Sequence, residues 1–228
     1  MLSHYSIIDL THTLDTSIPT WTGRCGFESQ ILVDYHQGCR VMRFNMVGGI
    51  GTHIDAPAHF IQGAHSIEQL KVDQLIAPVN VLRFDIPCSE KYLVSKQDIK
   101  NFEAKHGEIE KGSFFVIHTL WDRFWPDSTR FCNIQSDKLR YFPSYSYEAI
   151  EYLASQGVIG IGTDCLSPET GNEGFPIHNY LLERGIIIIE NLANLYLMPA
   201  SNAFLAVLPI KIKSAVESPV RALGFIQK

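Results

Sequence analysis

The segment SYEAIEYLASQGVIGIGTDCLS, residues 146–167, changes its periodicity across one glycine. Ser146 is an N-cap candidate and Glu148 falls in the first turn. Ile150, Leu153 and Ala154 recur at helical spacing until Gly157 stops the run. The uncharged stretch Val158 to Gly162 then reads as a buried strand that opens into Thr163-Asp164-Cys165. A helix running straight into a buried strand is the working unit of a mixed α/β domain.

On either side of this unit strands dominate. Alternation marks Tyr5 to Leu10, Glu28 to Tyr35, Arg40 to Val47, and Val79 to Phe84 after Pro78. Lys96 to His106 has helical spacing, with Ser95 as N-cap candidate and Gly107 at its end, and Ser113 to His118 has the form of a buried strand. Downstream, His178 to Arg184 makes one or two helical turns closed by Gly185, followed by the strand Ile186 to Glu190. Phe204 to Lys213, broken by Pro209, and Val220 to Ile226 complete the set. The expectation is an α/β fold with few helices around a β-barrel-like or layered sheet core. With no repeat, low-complexity tract or charge run, residues 1–228 read as a single domain.

Composition excludes several function classes. The 228 residues carry 19 basic and 24 acidic side chains, a formal charge of −5, so there is no electrostatic footprint for nucleic acid or an anionic membrane. The longest uninterrupted aliphatic run, Ile186 to Ile189, is far short of the ~20 residues a membrane span needs. Met1 to Leu10 shows no signal-peptide pattern. Five widely spaced cysteines (Cys25, Cys39, Cys88, Cys132, Cys165) without a C-x-x-C pair read as reduced thiols of a cytoplasmic protein, not as a zinc site. The unusual feature is the count of nine histidines.

Three of those histidines carry chemistry. In Gly48-Gly-Ile-Gly51-Thr52-His53-Ile54-Asp55-Ala-Pro57-Ala-His59-Phe60, His53 and Asp55 are two apart, so in an extended chain both leave one face. An imidazole and a carboxylate on one face suit zinc or manganese. The glycines allow the backbone to come close to a metal or substrate, and Pro57 turns the chain so that His59 can face the same cavity as a general acid and base. Glu190 interrupts an apolar strand, where a buried carboxylate is costly unless it is paired or bound to a metal. A helix folded back across Gly185 would bring His178 to it.

At these residues the sequence resembles the cyclase-like metal-dependent hydrolases, the family of bacterial arylformamidase (kynurenine formamidase) and isatin hydrolase. The family pattern His-x-Gly-Thr/Ala-His-x-Asp-x-Pro-x-His reads here Gly49-Ile-Gly51-Thr52-His53-Ile-Asp55-Ala-Pro57-Ala-His59. Pro19-Thr-Trp21-Thr-Gly23 is similar to the family's substrate-pocket loop, and Thr163-Asp164-Cys-Leu-Ser167 to its Gly-x-Asp-x-x-Ser turn. His178 with Glu190-Asn-Leu192, and Ser218-Pro-Val-Arg221, match its later segments. The resemblance implies a swivelling β/β/α domain, dimeric or tetrameric. It implies His53 and Asp55 as metal ligands, with Asp55 bridging two metals in dinuclear members. His178 and Glu190 are then the ligands of the second metal, and His59 the catalytic acid and base. Trp21 and one or more of Phe60, Trp121 and Trp125 are the candidates to stack on an aromatic or cyclic substrate.

The cofactor expected is a divalent metal, zinc first and manganese second, as one or two ions. The reaction expected is hydrolysis of an amide or cyclic amide, of the kind that takes N-formylkynurenine to kynurenine and formate, by a metal-bound hydroxide with His59 as proton shuttle. Two departures qualify this. Arg24 stands where the tryptophan loop often carries an acidic residue, and Gly49 stands where the family has its first histidine ligand. Gly49 leaves three possibilities: a single metal on His53, Asp55 and the later pair; a substitute ligand, with Cys39, His36 and His118 as candidates; or a metal- or ligand-binding relative that has lost catalysis. A non-metal hydrolase has less support, since no Gly-x-Ser-x-Gly elbow, P-loop or dinucleotide fingerprint is present.

Overall fold

A chain rich in short apolar strands must pair or cover every strand edge, and here the pairing closes on itself. The computed structural model describes residues 4–23, 26–170 and 174–228. Among these, the strands are β1 (Tyr5–Asp9), β2 (Phe27–Val33), β3 (Val41–Met46), β4 (His53–Asp55), β5 (Ile76–Arg83), β6 (Leu93–Val94), β7 (Phe114–His118), β8 (Ser144–Tyr145), β9 (Gly160–Thr163), β10 (Ile187–Glu190), β11 (Ala203–Pro209) and β12 (Glu217–Gln227). The helices are α1 (Lys96–His106), α2 (Ser128–Cys132), α3 (Tyr147–Gln156) and α4 (Pro176–Glu183).

Seven strands form a closed ring in the order β12-β11-β5-β7-β9-β10-β4, with β4 pairing back onto β12 and β1 adding to the far half of β12. The β5-β7-β9-β10 run is parallel, so its connections must cross over. Those crossovers carry α1, α3 and α4, whose Ile99, Phe102, Ile150, Leu153, Leu181 and Leu182 bury the outward side chains Phe115, Ile117, Ile161 and Ile188. The inward set, including Ile54, Val79, Phe114, Val116, Ile187, Ile189, Leu205 and Val207, fills the barrel. This is the strand-rich, barrel-like α/β architecture expected from the sequence.

Local signals account for the helices. Ser95 and Ser146 accept hydrogen bonds from the N3 amides of α1 and α3, and Gly157 ends α3 in the left-handed region at φ 79°. The strand expected from Val79 instead starts at Ile76. Pro78 is tolerated because β5 pairs there with β11 alone, its β7 pairing beginning only at Val79. Tyr35 leaves the β2 strand for a 3-10 turn capped by Asp34. The strand expected over residues 204–213 stops at Pro209, and β12 begins at Glu217, three residues before the expected Val220. Alternation did not mark α2, β6 or β8.

Two glycines on β9 set how closely the barrel packs. A Cβ on Gly160 would lie 2.7 Å from Phe114 Cε1 and 2.8 Å from Ile187 Cγ1. The ring and the aliphatic chain thus occupy space that any side chain at 160 would need. Gly160→Ala is expected to overpack the barrel and cost about 1–3 kcal/mol in chemical denaturation. An unchanged denaturation midpoint would show that the interior gives way freely.

Candidate active site

Three residues of backbone position most of the site. β4 lies between β10 and β12, antiparallel to both. Its register sets Glu190 opposite His53 and Glu217 opposite Asp55. Directly opposed residues share a face of the sheet, as do positions two apart. His53, Asp55, Glu190 and Glu217 therefore project together on the outside of the barrel, while Ile54 points into the core. The turn before β4 is held by Gly51 at φ 60°. The Gly51 carbonyl accepts from His53 Nδ1 at 2.9 Å and from Asn191 Nδ2 at 2.9 Å, and Thr52 Oγ1 donates to the Asn191 carbonyl at 2.6 Å.

His178 arrives from α4, which packs against β10 beyond the Gly185 turn. Glu169 fixes it: its carboxylate accepts from the backbone amides of Ile177 (3.0 Å) and His178 (2.9 Å) and from His178 Nδ1 (2.5 Å). Both imidazoles thus spend Nδ1 on a fixed acceptor and turn Nε2 toward the acids, the orientation a metal-ligating histidine requires. His53 Nε2 lies 3.2 Å from Glu190 Oε2 and 3.7 Å from Asp55 Oδ1. His178 Nε2 lies 3.4 Å from Glu190 Oε1 and 3.7 Å from Asp55 Oδ2.

These groups are almost wholly buried, so their charges are governed by one another. Burial favours neutral rings, but the Glu190 carboxylate lifts His53 to about 9, and Glu169 with Glu190 lifts His178 to about 10. Burial pushes the Asp55 carboxyl up, and the adjacent Glu190 charge adds to this, to about 7. Glu190 is held down at about 2 because its bonds to His178 and His53 outweigh the cost of burial. Asp55 Oδ1 is buried with no hydrogen-bond partner. A buried carboxylate oxygen left without a partner, two Nε2 atoms and a second carboxylate form a donor set that fits a divalent ion such as zinc or manganese. Here two groups each hold donor atoms that all lie within 4.8 Å of one another: Asp55, His178 and Glu190, and His53, Asp55 and Glu217.

The site opens into a cavity of about 290 Å³ whose lining includes seven of the residues singled out from the sequence: Trp21, His53, Asp55, His59, Phe60, His178 and Glu190. His59 stands at the end of a 3-10 turn started by Pro57, with Nδ1 3.7 Å from Glu217 Oε2. Burial lowers its pKa, and the Glu217 charge opposes that without reversing it, so the ring is neutral near pH 7. Phe175 joins Trp21 (ring centroids 5.7 Å apart) and Phe60 (5.6 Å). Phe175 caps α4 in the left-handed region at φ 45°, an uncommon conformation for a bulky residue. The Arg140 guanidinium covers Trp21 at 4.5 Å and donates to its carbonyl.

Of the other aromatic candidates, Trp121 is buried with Phe131, to whose carbonyl its indole donates, and Trp125 stacks on His12 at 3.8 Å; neither lines the cavity. The three candidate substitute ligands lie elsewhere. His36 and Cys39 are exposed at the turn between β2 and β3, and His118 is buried in a separate group with Asp122 and Asp164. Arg24 and Cys25 lie outside the described residues. Sequence reasoning missed Glu169, Phe175 and Glu217. Glu217 directly precedes the Ser218-Pro-Val-Arg221 signature, but only the β4–β12 register shows where it points.

Comparison with known proteins agrees with this fold. A family model described as putative cyclase matches residues 8–170. The isatin hydrolase of Roseibium aggregatum is 37% identical over 193 residues, covering 78% of this chain and 72% of that protein. The kynurenine formamidase of Bordetella avium is 26% identical over 222 residues, covering 94% and 95%. The solved structure of isatin hydrolase A from Labrenzia aggregata, bound to benzyl benzoate, superposes with a TM-score of 0.89 at 26% identity, covering 99% of this chain and 95% of that one.

The electrostatics predict how ion-free protein responds to pH. Both His53 and His178 have folded-state values above the usual ~6.5, so the stability they contribute is complete below that pH and is lost as pH rises through about 9 and 10. Thermal unfolding of chelator-stripped protein should shift to lower Tm between about pH 7 and 10, and a bound divalent ion should flatten the shift. A flat profile without metal would contradict the protonated-ring picture.

Proposed function

The chain belongs to the putative cyclase family, and from that premise we propose that it is a metal-dependent hydrolase that opens an amide or cyclic amide bond. The carrying observation is the convergence of His53, Asp55, His178 and Glu190 beside His59 in one aromatic-walled cavity. The substrate class this supports is a small aromatic amide, either an isatin-type cyclic amide or an N-formyl anilide such as N-formylkynurenine. The named activities of the Roseibium and Bordetella relatives support the same class. The substrate would lie flat among Trp21, Phe60 and Phe175, whose faces suit a planar ring.

One or two divalent ions held among His53, Asp55, His178 and Glu190, zinc or manganese, would supply Lewis acidity toward the carbonyl and lower the pKa of a water. The chain's own groups do the rest. His59, neutral near pH 7, accepts a proton from the attacking water and returns it to the leaving nitrogen. The Glu217 carboxylate stabilises the ring while it is charged. Glu169 keeps His178 Nδ1 protonated, so that Nε2 alone faces the reacting centre.

A cytoplasmic protein acting as a dimer or tetramer completes the reading. Four cysteines are free among the described residues, and no described helix is long and apolar enough to cross a membrane. The β2–β3 hairpin exposes Ile31, Leu32, Tyr35, Val41, Met42 and Phe44. A two-stranded hairpin is marginal alone, so we read it as the surface on which copies pair. Phe44→Glu should then lower the mass measured by light scattering; an unchanged mass would remove the hairpin from the interface.

Metal-loaded protein is expected to hydrolyse isatin or N-formylkynurenine. His59→Ala should lose ~10²–10⁴-fold in turnover while keeping its metal. Asp55→Ala should lose both metal and activity. No turnover of either amide by the loaded wild type would favour a ligand-binding relative without catalysis.

A further inference from the structure

Gly49 and Glu217 occupy one place between them. A Cβ built on Gly49 would fall 2.1 Å from Glu217 Oε1, 3.1 Å from its Cδ and 3.3 Å from His53 Nε2. A side chain at 49 would therefore be aimed at the point, beside His53 Nε2, that the Glu217 carboxylate already fills. The carboxylate comes from another strand: the β4–β12 register sets Glu217 opposite Asp55 and sends both side chains out on one face. It is about three-quarters buried, at 24% side-chain exposure, with the His59 ring beside it, Nδ1 3.7 Å from Oε2.

The two acids nearest it are already divided. Asp55 presents Oδ1 toward His53 and Oδ2 toward His178, and Glu190 presents Oε2 toward His53 and Oε1 toward His178. Two donor groups thus share one carboxylate: Asp55 with His178 and Glu190 on one side, and Asp55 with His53 and Glu217 on the other. The bare atom, Asp55 Oδ1, belongs to the second side. Donors within 4.8 Å of one another need only small side-chain rotations to reach a common ion at about 2.0–2.2 Å.

We propose that Glu217 is a metal ligand that replaces, from β12, the side chain missing at Gly49, completing a second ion position formed with His53 and Asp55 next to that of Asp55, His178 and Glu190. This deepens the hydrolase reading and rests on it. A carboxylate takes the place of an imidazole, and Gly49 is retained as the space that admits it. The other assignment the geometry allows is that Glu217 only orients His59, through the 3.7 Å approach of Oε2 to Nδ1. That role leaves metal stoichiometry untouched.

The test is ion stoichiometry of the full chain, stripped with chelator and titrated with Mn²⁺ or Zn²⁺, read by calorimetry and by elemental analysis after desalting. Wild type is expected to bind two ions per chain, and Glu217→Ala one. The isosteric Glu217→Gln guards against misfolding and should weaken the second ion at least tenfold. Gly49→His alone meets Glu217 and gains nothing, whereas Gly49→His with Glu217→Ala should restore two ions. One ion in wild type, or equal stoichiometry and affinity in wild type and Glu217→Ala, overturns the proposal and leaves the hydrolase reading standing. A wild type that binds no ion removes both.

Discussion

The closure of the barrel by β4 is the constraint on which everything else depends. A three-residue strand has too few hydrogen bonds to hold its own place, and it persists because β10 and β12 grip it from both sides. That double pairing orients the strand absolutely. Ile54 must enter the core with Ile187, Ile189 and Val220, so His53 and Asp55 must leave on the opposite face. A register slip of one residue would bury the imidazole and the carboxylate in the barrel and expose the isoleucine. The apolar packing of the barrel interior thus determines the direction of the chemistry.

Burying so many charges is costly, and the site meets that cost by mutual compensation. Glu190 lies between the two imidazoles, and both hydrogen bonds lower its pKa while raising theirs. Asp55 is less well compensated. Its neighbours include Glu190 as well as the rings, its pKa is raised, and its Oδ1 has no donor. An uncompensated buried carboxylate destabilises a fold unless a cation completes it. The same imbalance that weakens the ion-free protein would favour the binding of a cation in the cluster.

Much of this was legible in the chain. Helices α1 and α3 follow from Ser95, Ser146 and the glycines behind them, because caps and stops are local interactions. The pairing of His53 with Asp55 follows from the two-residue period of an extended chain, and the isolation of Glu190 in an isoleucine run follows from the cost of burying it. Residues whose role depends on a partner far along the chain were less legible. Glu169 acts through His178, nine residues along the chain, and the sequence around it carries no periodicity that points there. Phe175 faces the cavity only because α4 begins on a left-handed residue. The short strands β6 and β8 exist only as each other's partners.

Gly49 marks the boundary between the two kinds of information. The sequence alone determined that this position lacks a donor, since composition and motif spacing are properties of the chain. It also determined the strand-rich α/β class and the residue types of the site, because periodicity, capping and the cost of buried charge act over a few residues. Only the tertiary structure decided what occupies the space beside His53. Glu217 reaches it from 168 positions away in the sequence through the β4–β12 register. Strand pairing between distant segments is set by how the whole barrel closes, and no local pattern encodes it.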